Sequence, residues 1–146
     1  MKRIVIDACV FAKIFVEEQD RAHAIALIKA LTDQDITIVV PQLFFYEIMS
    51  VARYSNIEVS DVLHILQTYQ KTNLQLLEPD LNMLKTAMAI TDSGHPKSGY
   101  PSFYDAIYHA MALCFDCMFI TADKRYYEKT RQLEKIALLE HWEQVI

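Results

Sequence analysis

Glycine and proline are scarce in this chain, with only two and four among 146 residues. Two glycines, Gly94 and Gly99, cannot supply a glycine-rich phosphate loop, which disfavours the common nucleotide-cofactor folds. So little of both residues also argues against a disordered linker. Long apolar runs are missing as well, since no stretch approaches the ~20 residues of a membrane-spanning helix. We therefore expect a folded protein with no membrane association.

Cysteine is equally sparse, at Cys9, Cys114 and Cys117. An odd number of cysteines disfavours a disulfide framework and indicates a reducing, cytoplasmic setting. Cys114 and Cys117 have the spacing of half a zinc site, but no second Cys or His pair completes it. We interpret both as small, buried apolar side chains.

Hydrophobic residues make up 53% of the chain, and its length is sufficient to bury a hydrophobic core. We expect one domain over residues 1–146. Lys2 and Arg3 precede a short apolar stretch that Asp7 interrupts. This pattern predicts a buried strand rather than a signal peptide.

Strand and helix patterns alternate along the chain. Short β-branched or apolar runs predict strands, and apolar residues at helical spacing predict helices. The predicted strands cover residues 4–6, 37–40, 74–77, 117–120 and 136–139. The predicted helices cover residues 8–17, 21–31, 42–54, 80–91, 102–114 and 124–133, and one more that Ser60 and Asp61 cap and that runs to about residue 70. The alternation predicts an α/β fold with a central, mostly parallel sheet of about four to five strands flanked by helices.

Four carboxylates lie within or beside the most apolar segments: Asp7, Glu47, Asp105 and Asp123. Isolated carboxylates near a core are unfavourable, so such groups are usually paired, hydrogen-bonded or bound to metal. No matching set of Lys or Arg lies beside them. Asp7 and Asp123 also follow predicted strands, at the edge of a parallel sheet where ligands bind. The four together predict a site for Mg²⁺ or Mn²⁺ and phosphodiester chemistry.

Each acid also has a purely structural interpretation. Asp7 and Asp123 are suited to the N-caps of the helices that follow them, and Ser102 with Asp105 matches a capping box. For Glu47, the structural alternative is an ion pair with a Lys or Arg inside the fold. These alternatives stay open at the level of the sequence.

Supporting residues surround this candidate site. Thr121, two residues before Asp123, is placed to orient a ligand or water, and Lys13 and Arg125 are candidates for contacts with substrate phosphates. His109 shares a helical face with Asp105, and we interpret it as structural rather than as a donor to the site. We interpret Tyr46, Tyr104 and Tyr108 as packing residues rather than base-stacking platforms. The formal net charge of −5 becomes nearly neutral once the four acids are set aside, so charge permits an RNA substrate.

Four segments in this order resemble the PIN-domain family, and VapC-like toxins of toxin–antitoxin pairs in particular. They are Val5-Ile-Asp-Ala-Cys-Val10, Pro41 to Glu47, Ser102 to Tyr108, and Thr121-Ala-Asp-Lys-Arg125. The resemblance implies a Mg²⁺- or Mn²⁺-dependent endoribonuclease that hydrolyses RNA, is often a homodimer and is inhibited by a cognate antitoxin. It also implies that Asp7, Glu47, Asp105 and Asp123 form the acidic site. Cys9 is a departure, since the family often has Ser or another small polar residue there.

Two other readings compete with the nuclease. One is an inactive PIN-like module that binds RNA or protein without cutting. The other is a phosphatase or receiver domain on similar α/β layers. A haloacid-dehalogenase-like phosphatase needs a second Asp two residues after Asp7, where Cys9 stands. A receiver needs its acceptor Asp at the end of a central strand, whereas the second strand here runs into Pro41. The nuclease is favoured.

Overall fold

The strands form a single sheet in the computed structural model, which describes residues 2–146. Within that range they are β1 Arg3–Ile6, β2 Thr37–Pro41, β3 Leu74–Leu77, β4 Met118–Thr121 and β5 Ile136–Leu138. They pair in the order β3-β2-β1-β4-β5, and every pair is parallel. The predicted α/β fold with a sheet of four to five parallel strands is confirmed.

Seven α-helices within residues 2–146 connect and cover these strands: α1 Ala8–Ala12, α2 Arg21–Asp33, α3 Leu43–Tyr54, α4 Val59–Thr72, α5 Leu81–Thr91, α6 Phe103–Cys114 and α7 Lys124–Thr130. Helix α6 contacts β1, β2 and β4, and α5 packs along α6. A run of seven residues of α6, from Ala106 to Ala112, is buried. This apolar helix therefore covers the middle of the sheet.

The strand order places a switch point between β1 and β4. From this pair, the sheet continues through β2 and β3 on one side and through β5 on the other. The carboxyl ends of parallel strands on either side of such a point border a crevice where ligands bind. Helix α6 precedes β4, which is parallel to the other strands. It therefore runs antiparallel to the strands and begins at the edge formed by their carboxyl ends. The fold thus brings the residues after β1 and β4 and the first turn of α6 to one end of the molecule.

The predicted helix over residues 8–17 is wrong in its length, since α1 ends at Ala12. The side chain of Arg21 donates hydrogen bonds to the backbone oxygens of Lys13 and Ile14, both at 2.9 Å. A continuing helix would need those two carbonyls for its own bonds. Lys13 Nζ also lies 2.5 Å from Oε2 of Glu18, five residues later, and this contact requires the chain to turn. Side-chain bonds from residues just beyond the segment therefore override its helical pattern.

The start of α4 also differs from prediction. The N-cap position is Glu58, without a capping hydrogen bond from its side chain, and Ser60 and Asp61 lie inside the first turn. Asp61 still interacts favourably there with the exposed N–H groups of the helix end. Farther along, α7 ends at Thr130, and a short 3₁₀ turn, Arg131–Leu133, completes the segment predicted as one helix.

The three cysteines are free thiols. Cys114 and Cys117 are half-buried rather than fully buried, and Cys114 Sγ lies 3.5 Å from Asn82 Nδ2 and 3.7 Å from Thr86 Oγ1. Among residues 2–146, no helix combines the length and apolar character needed to cross a membrane.

Candidate active site

Asp7 follows β1 and is the N-cap of α1. Its Oδ1 accepts hydrogen bonds from the Val10 backbone N–H at 3.0 Å and from Cys9 Sγ at 2.7 Å. The Asp7 backbone N–H donates to Ile120 at 3.3 Å, which extends the β1–β4 pairing by one residue and sets Asp7 beside Thr121. Asp7 is thus a capping residue and also a half-buried carboxylate at the switch point.

Thr121 connects two of the acids. Its side chain is buried, and its hydroxyl donates to Asp7 Oδ2 while accepting from the Asp123 backbone N–H at 3.0 Å. One hydroxyl therefore fixes the orientation of the Asp7 carboxylate and the path of the chain into Asp123. The predicted supporting role of Thr121 has a physical basis in these two bonds.

We expect Thr121→Val to lower the free energy of unfolding by about 1–3 kcal/mol, because Asp7 and the Asp123 backbone N–H each lose a part-buried hydrogen bond. Thr121→Ser, which keeps the hydroxyl, is the matched control and should stay closer to the native protein. Urea unfolding followed by the fluorescence of Trp142, the single tryptophan, measures both. Equal stability of the valine and native proteins would show that the two bonds have no net effect.

Glu47 lies on α3, and its Oε1 accepts a hydrogen bond from the Tyr108 hydroxyl at 2.5 Å. Tyr108 is a buried residue of α6, so the bond connects α3 to the helix that carries Asp105. An ion pair with Lys or Arg is the structural alternative that the sequence left open for Glu47. Within residues 2–146, no Lys or Arg forms such a pair. Tyr108 packs in the core against Phe119, as the sequence predicts, and its hydroxyl also holds the Glu47 carboxylate in place.

Asp105 and Asp123 both serve helix ends, as the structural interpretation anticipated. Ser102 Oγ accepts from the Asp105 backbone N–H at 3.2 Å and donates to Asp105 Oδ2 at 3.1 Å. Asp123 Oδ1 accepts from the Tyr126 backbone N–H at 3.0 Å. Asp105 and Asp123 can therefore cap a helix and also take part in a site, because capping leaves lone pairs of each carboxylate free to accept another ligand.

Electrostatics shows that the acids lie close enough to influence one another. Burial raises the pKa of Asp7, and the charge of Asp105 adds to this, against hydrogen bonds from Cys9, Thr121 and Val10. Burial likewise raises the pKa of Glu47, with further repulsion from Asp105 and Asp7. The pKa of Asp105 is also raised, by burial and then by the charge of Asp123. Repulsion therefore connects all four carboxylates, and added positive charge would relieve it.

The donor set fits a hard divalent cation, although the side chains are not gathered around one point. All four residues offer carboxylate oxygens, the ligands that Mg²⁺ prefers. In residues 2–146, no three His, Cys, Asp or Glu side chains stand together at the spacing of metal ligands. Binding of an ion would therefore draw these carboxylates toward one another.

The two predicted cationic residues differ in their surroundings. Lys13 is buried and forms ion pairs with Glu18 at 2.5 Å and Asp20 at 3.0 Å. Its charge is already matched within the fold, which argues against the predicted contact with substrate phosphates. Arg125 is exposed and lines a cleft beside α7.

His109 has the structural role expected from the sequence. It is fully buried, with Nδ1 3.0 Å from the Tyr126 hydroxyl and Nε2 2.7 Å from the Glu134 backbone oxygen. Burial lowers its pKa, so the neutral ring is favoured. Tyr46 and Tyr104, in contrast, are 70% and 65% exposed, so their interpretation as packing residues is wrong.

Sequence reasoning missed the part that Cys9 and Tyr108 play. In the sequence Cys9 stands out only as a departure from the family pattern, whereas in the structure its thiol donates to Asp7. Its position two residues after Asp7, in the first turn of the following helix, was the available signal. Tyr108 is three residues after Asp105 and so adjoins it on α6, but nothing in the sequence pairs it with Glu47.

Comparisons with known proteins agree with this architecture. The family model of the PIN domain matches residues 4–132. Among solved structures, the chain is similar to a toxin–antitoxin complex from Klebsiella pneumoniae, with a TM-score of 0.65, 13% identity, and coverage of 93% of this chain and 97% of the other. It is also similar to VapBC2 from Rickettsia felis bound to a DNA fragment from their promoter (TM-score 0.65, 10% identity, coverage 93% and 96%) and to FitAcB from Neisseria gonorrhoeae (TM-score 0.62, 12% identity, coverage 92% and 95%).

At these identities the structural likeness concerns the fold alone. A search of curated proteins gave no significant match. The family model nevertheless spans most of the chain and includes all four carboxylates. The chain belongs to the PIN domain family.

Proposed function

We propose that this protein is a divalent-metal-dependent endoribonuclease and the toxin of a VapC-like toxin–antitoxin pair. The observation that carries the proposal is the electrostatic coupling of Asp7, Glu47, Asp105 and Asp123 at the carboxyl edge of the sheet. Four separate segments supply these acids, and burial, followed by the charge of neighbouring carboxylates, raises the pKa values of Asp7, Glu47 and Asp105. PIN-domain proteins are generally nucleases that use divalent metals, which supports the same conclusion.

Asp7 and Asp105 would hold the principal Mg²⁺ or Mn²⁺, with Glu47 and Asp123 contributing directly, through water or to a second ion. The bound cation would polarise a phosphate oxygen and lower the pKa of an attacking water. The protein's own contribution is to orient the ligands. The Thr121 hydroxyl fixes Asp7, and the Tyr108 hydroxyl fixes Glu47.

The partners follow from the same proposal. Two of the similar structures are described as a toxin–antitoxin complex and as VapBC2 on promoter DNA. By analogy we propose a cognate antitoxin as inhibitor and an RNA as substrate. We further propose a cytoplasmic homodimer in which residues 1–146 form one domain.

Incubation of the purified protein with total RNA tests the activity. We expect cleavage with Mg²⁺ or Mn²⁺ and none with excess chelator, because the carboxylates require the cation to bind and activate the phosphodiester. Restoring the divalent ion after chelation should restore cleavage, which separates metal dependence from denaturation. Cleavage that persists at full rate in chelator would contradict the proposal.

One observation favours the alternative of an inactive PIN-like module. The four side chains do not stand at metal-ligand spacing within the described part of the chain. Such a module would bind RNA or protein without cutting, and it would show no divalent-dependent products in the same assay. RNA binding measured beside cleavage therefore separates the two functions.

A further inference from the structure

A cleft beside the acids is lined by α7 and the loop of residues 92–101. Lys124, Arg125 and Lys129 contribute three positive charges to it, and Glu128 contributes one negative charge. No carboxylate within residues 2–146 forms an ion pair with any of these three cations. In a chain with a formal net charge of −5, an uncompensated basic cleft is a local feature that favours an anionic ligand.

The loop wall of this cleft has a defined backbone conformation. His95 and Gly99 exchange backbone hydrogen bonds at 3.2 and 2.7 Å, which closes a tight turn. Gly94 has φ +123°, and a Cβ there would stand 2.4 Å from the Gly99 backbone oxygen, so only glycine is accommodated. A Cβ at Gly99 would lie 3.5 Å from Lys129 Nζ, so the turn lies directly against this ammonium group.

The cleft adjoins the acidic site through α7, whose N-cap is Asp123. Lys124 follows Asp123 directly, and Arg125 and Lys129 lie on the same short helix. Lys124 also borders a second cleft, whose acidic lining residues are Glu140 and the two partners of Lys13, Glu18 and Asp20. The surroundings of the acids are therefore positive toward α7, whereas in the second cleft the acids still outnumber the cations once Lys13 is counted.

We propose that the basic cleft binds backbone phosphates of the RNA strand next to the scissile phosphate. The strand then extends from the acids toward α7 and away from the acidic cleft, where its own charge would be repelled. Arg125 and Lys129 are the principal contacts, and Lys124 lies at the junction with the acids. This inference rests on the proposed function for the identity of the ligand, but phosphate binding can be measured without cleavage.

The test measures the salt dependence of binding. A short fluorescein-labelled single-stranded RNA of mixed sequence is titrated with the Asp7→Asn protein in Mg²⁺ and followed by fluorescence anisotropy, from about 50 to about 200 mM NaCl. Adding Arg125→Ala and Lys129→Ala should reduce the slope of log K against log salt by about 1.4, since each lost phosphate contact on a single strand is worth about 0.7. Glu128→Gln should tighten binding.

Lys71→Ala is the matched control. Lys71 is an exposed lysine of α4 that precedes β3, so it lies toward the opposite end and opposite edge of the sheet. Its loss should leave the slope unchanged. In the cleaving protein, Arg125→Ala should raise KM with little change in kcat, the signature of a contact made equally in the ground and transition states.

The outcomes separate this inference from the proposed function. An unchanged slope in the double variant, or an equal loss in Lys71→Ala, would overturn the basic cleft while divalent-dependent cleavage still stood. A reduced slope in a protein that never cleaves RNA would support the cleft and reject the nuclease. Circular dichroism of each variant shows whether a loss of binding reflects unfolding.

Discussion

Asp7→Asn is expected to reduce divalent-dependent RNA cleavage by about a thousandfold or more while the protein stays folded. A metal ion supplies several kcal/mol of transition-state stabilisation, and about 4 kcal/mol corresponds to a thousandfold in rate. The substitution removes one charge from the ligand set without removing the cap, because Asn and Asp are similarly good N-caps. The Asn oxygen can still accept the Val10 N–H bond that begins α1.

Asp80→Asn is the matched control for this loss. Asp80 is the N-cap of α5 and accepts the Met83 backbone N–H at 2.9 Å, just as Asp7 accepts that of Val10. It is not among the charges that raise the pKa of Asp7, Glu47 or Asp105. The control should cleave RNA at the native rate, and full activity in Asp7→Asn would remove Asp7 from the site.

Saturation with Mg²⁺ or Mn²⁺ is expected to raise the melting temperature by roughly 5–10 °C. A ligand at a hundred times its Kd stabilises the folded state by about 2.7 kcal/mol, and each kcal/mol is worth about 2–4 °C in a chain of this length. The physical cause is relief of the repulsion among the four carboxylates. Thermal unfolding with chelator and with each ion measures the shift.

The pH dependence of the metal-free protein has a definite sign. Asp7, Glu47 and Asp105 have folded-state pKa values above their ordinary values of 3.8, 4.5 and 3.8. Between the ordinary and raised values, the folded state holds more protons than the unfolded state. The contribution of these groups to the free energy of unfolding therefore falls as pH rises through that window. We expect the metal-free protein to gain stability from the site on mild acidification, and saturating cation to reduce this gain.

Asp105→Asn isolates the cause of both effects. Removing this charge should stabilise the metal-free protein above the pH window, because Asp7 and Glu47 then lose a repulsive neighbour. The same variant should show a smaller temperature shift with cation. If instead it lost stability without cation and kept the native shift, Asp105 would be a capping residue only.

The strands of the sheet could be predicted from the sequence, because local runs of apolar residues indicate which segments are buried. The apolar runs at β1, β2 and β4 had no other stable environment than the inside of a sheet, and the structure buries nearly all of their residues. The order of acids relative to strands and helices predicted that Asp7 and Asp123 would share an edge. Parallel pairing of β1 with β4 makes this so.

The rest depends on particular side-chain contacts that residue periodicity does not predict. The side chain of Arg21 donates to the carbonyls of Lys13 and Ile14, so α1 ends before them. The spacing of apolar residues does not predict these two hydrogen bonds. The Tyr108–Glu47 bond joins residues 61 positions apart. Lys13 appeared in the sequence as a free cation, and its pairing with Glu18 and Asp20 becomes visible only once the turn is built.

The central claim is that four carboxylates share a divalent cation, and anomalous diffraction from crystals grown with Mn²⁺ tests it most directly. We predict a manganese peak bounded by Asp7 and Asp105, with carboxylate oxygens at about 2 Å from the ion. Glu47 or Asp123 should lie within direct or water-mediated reach of the same peak. A peak confined to the acidic cleft of Glu18, Asp20 and Glu140, or no peak at saturating Mn²⁺, would contradict the claim.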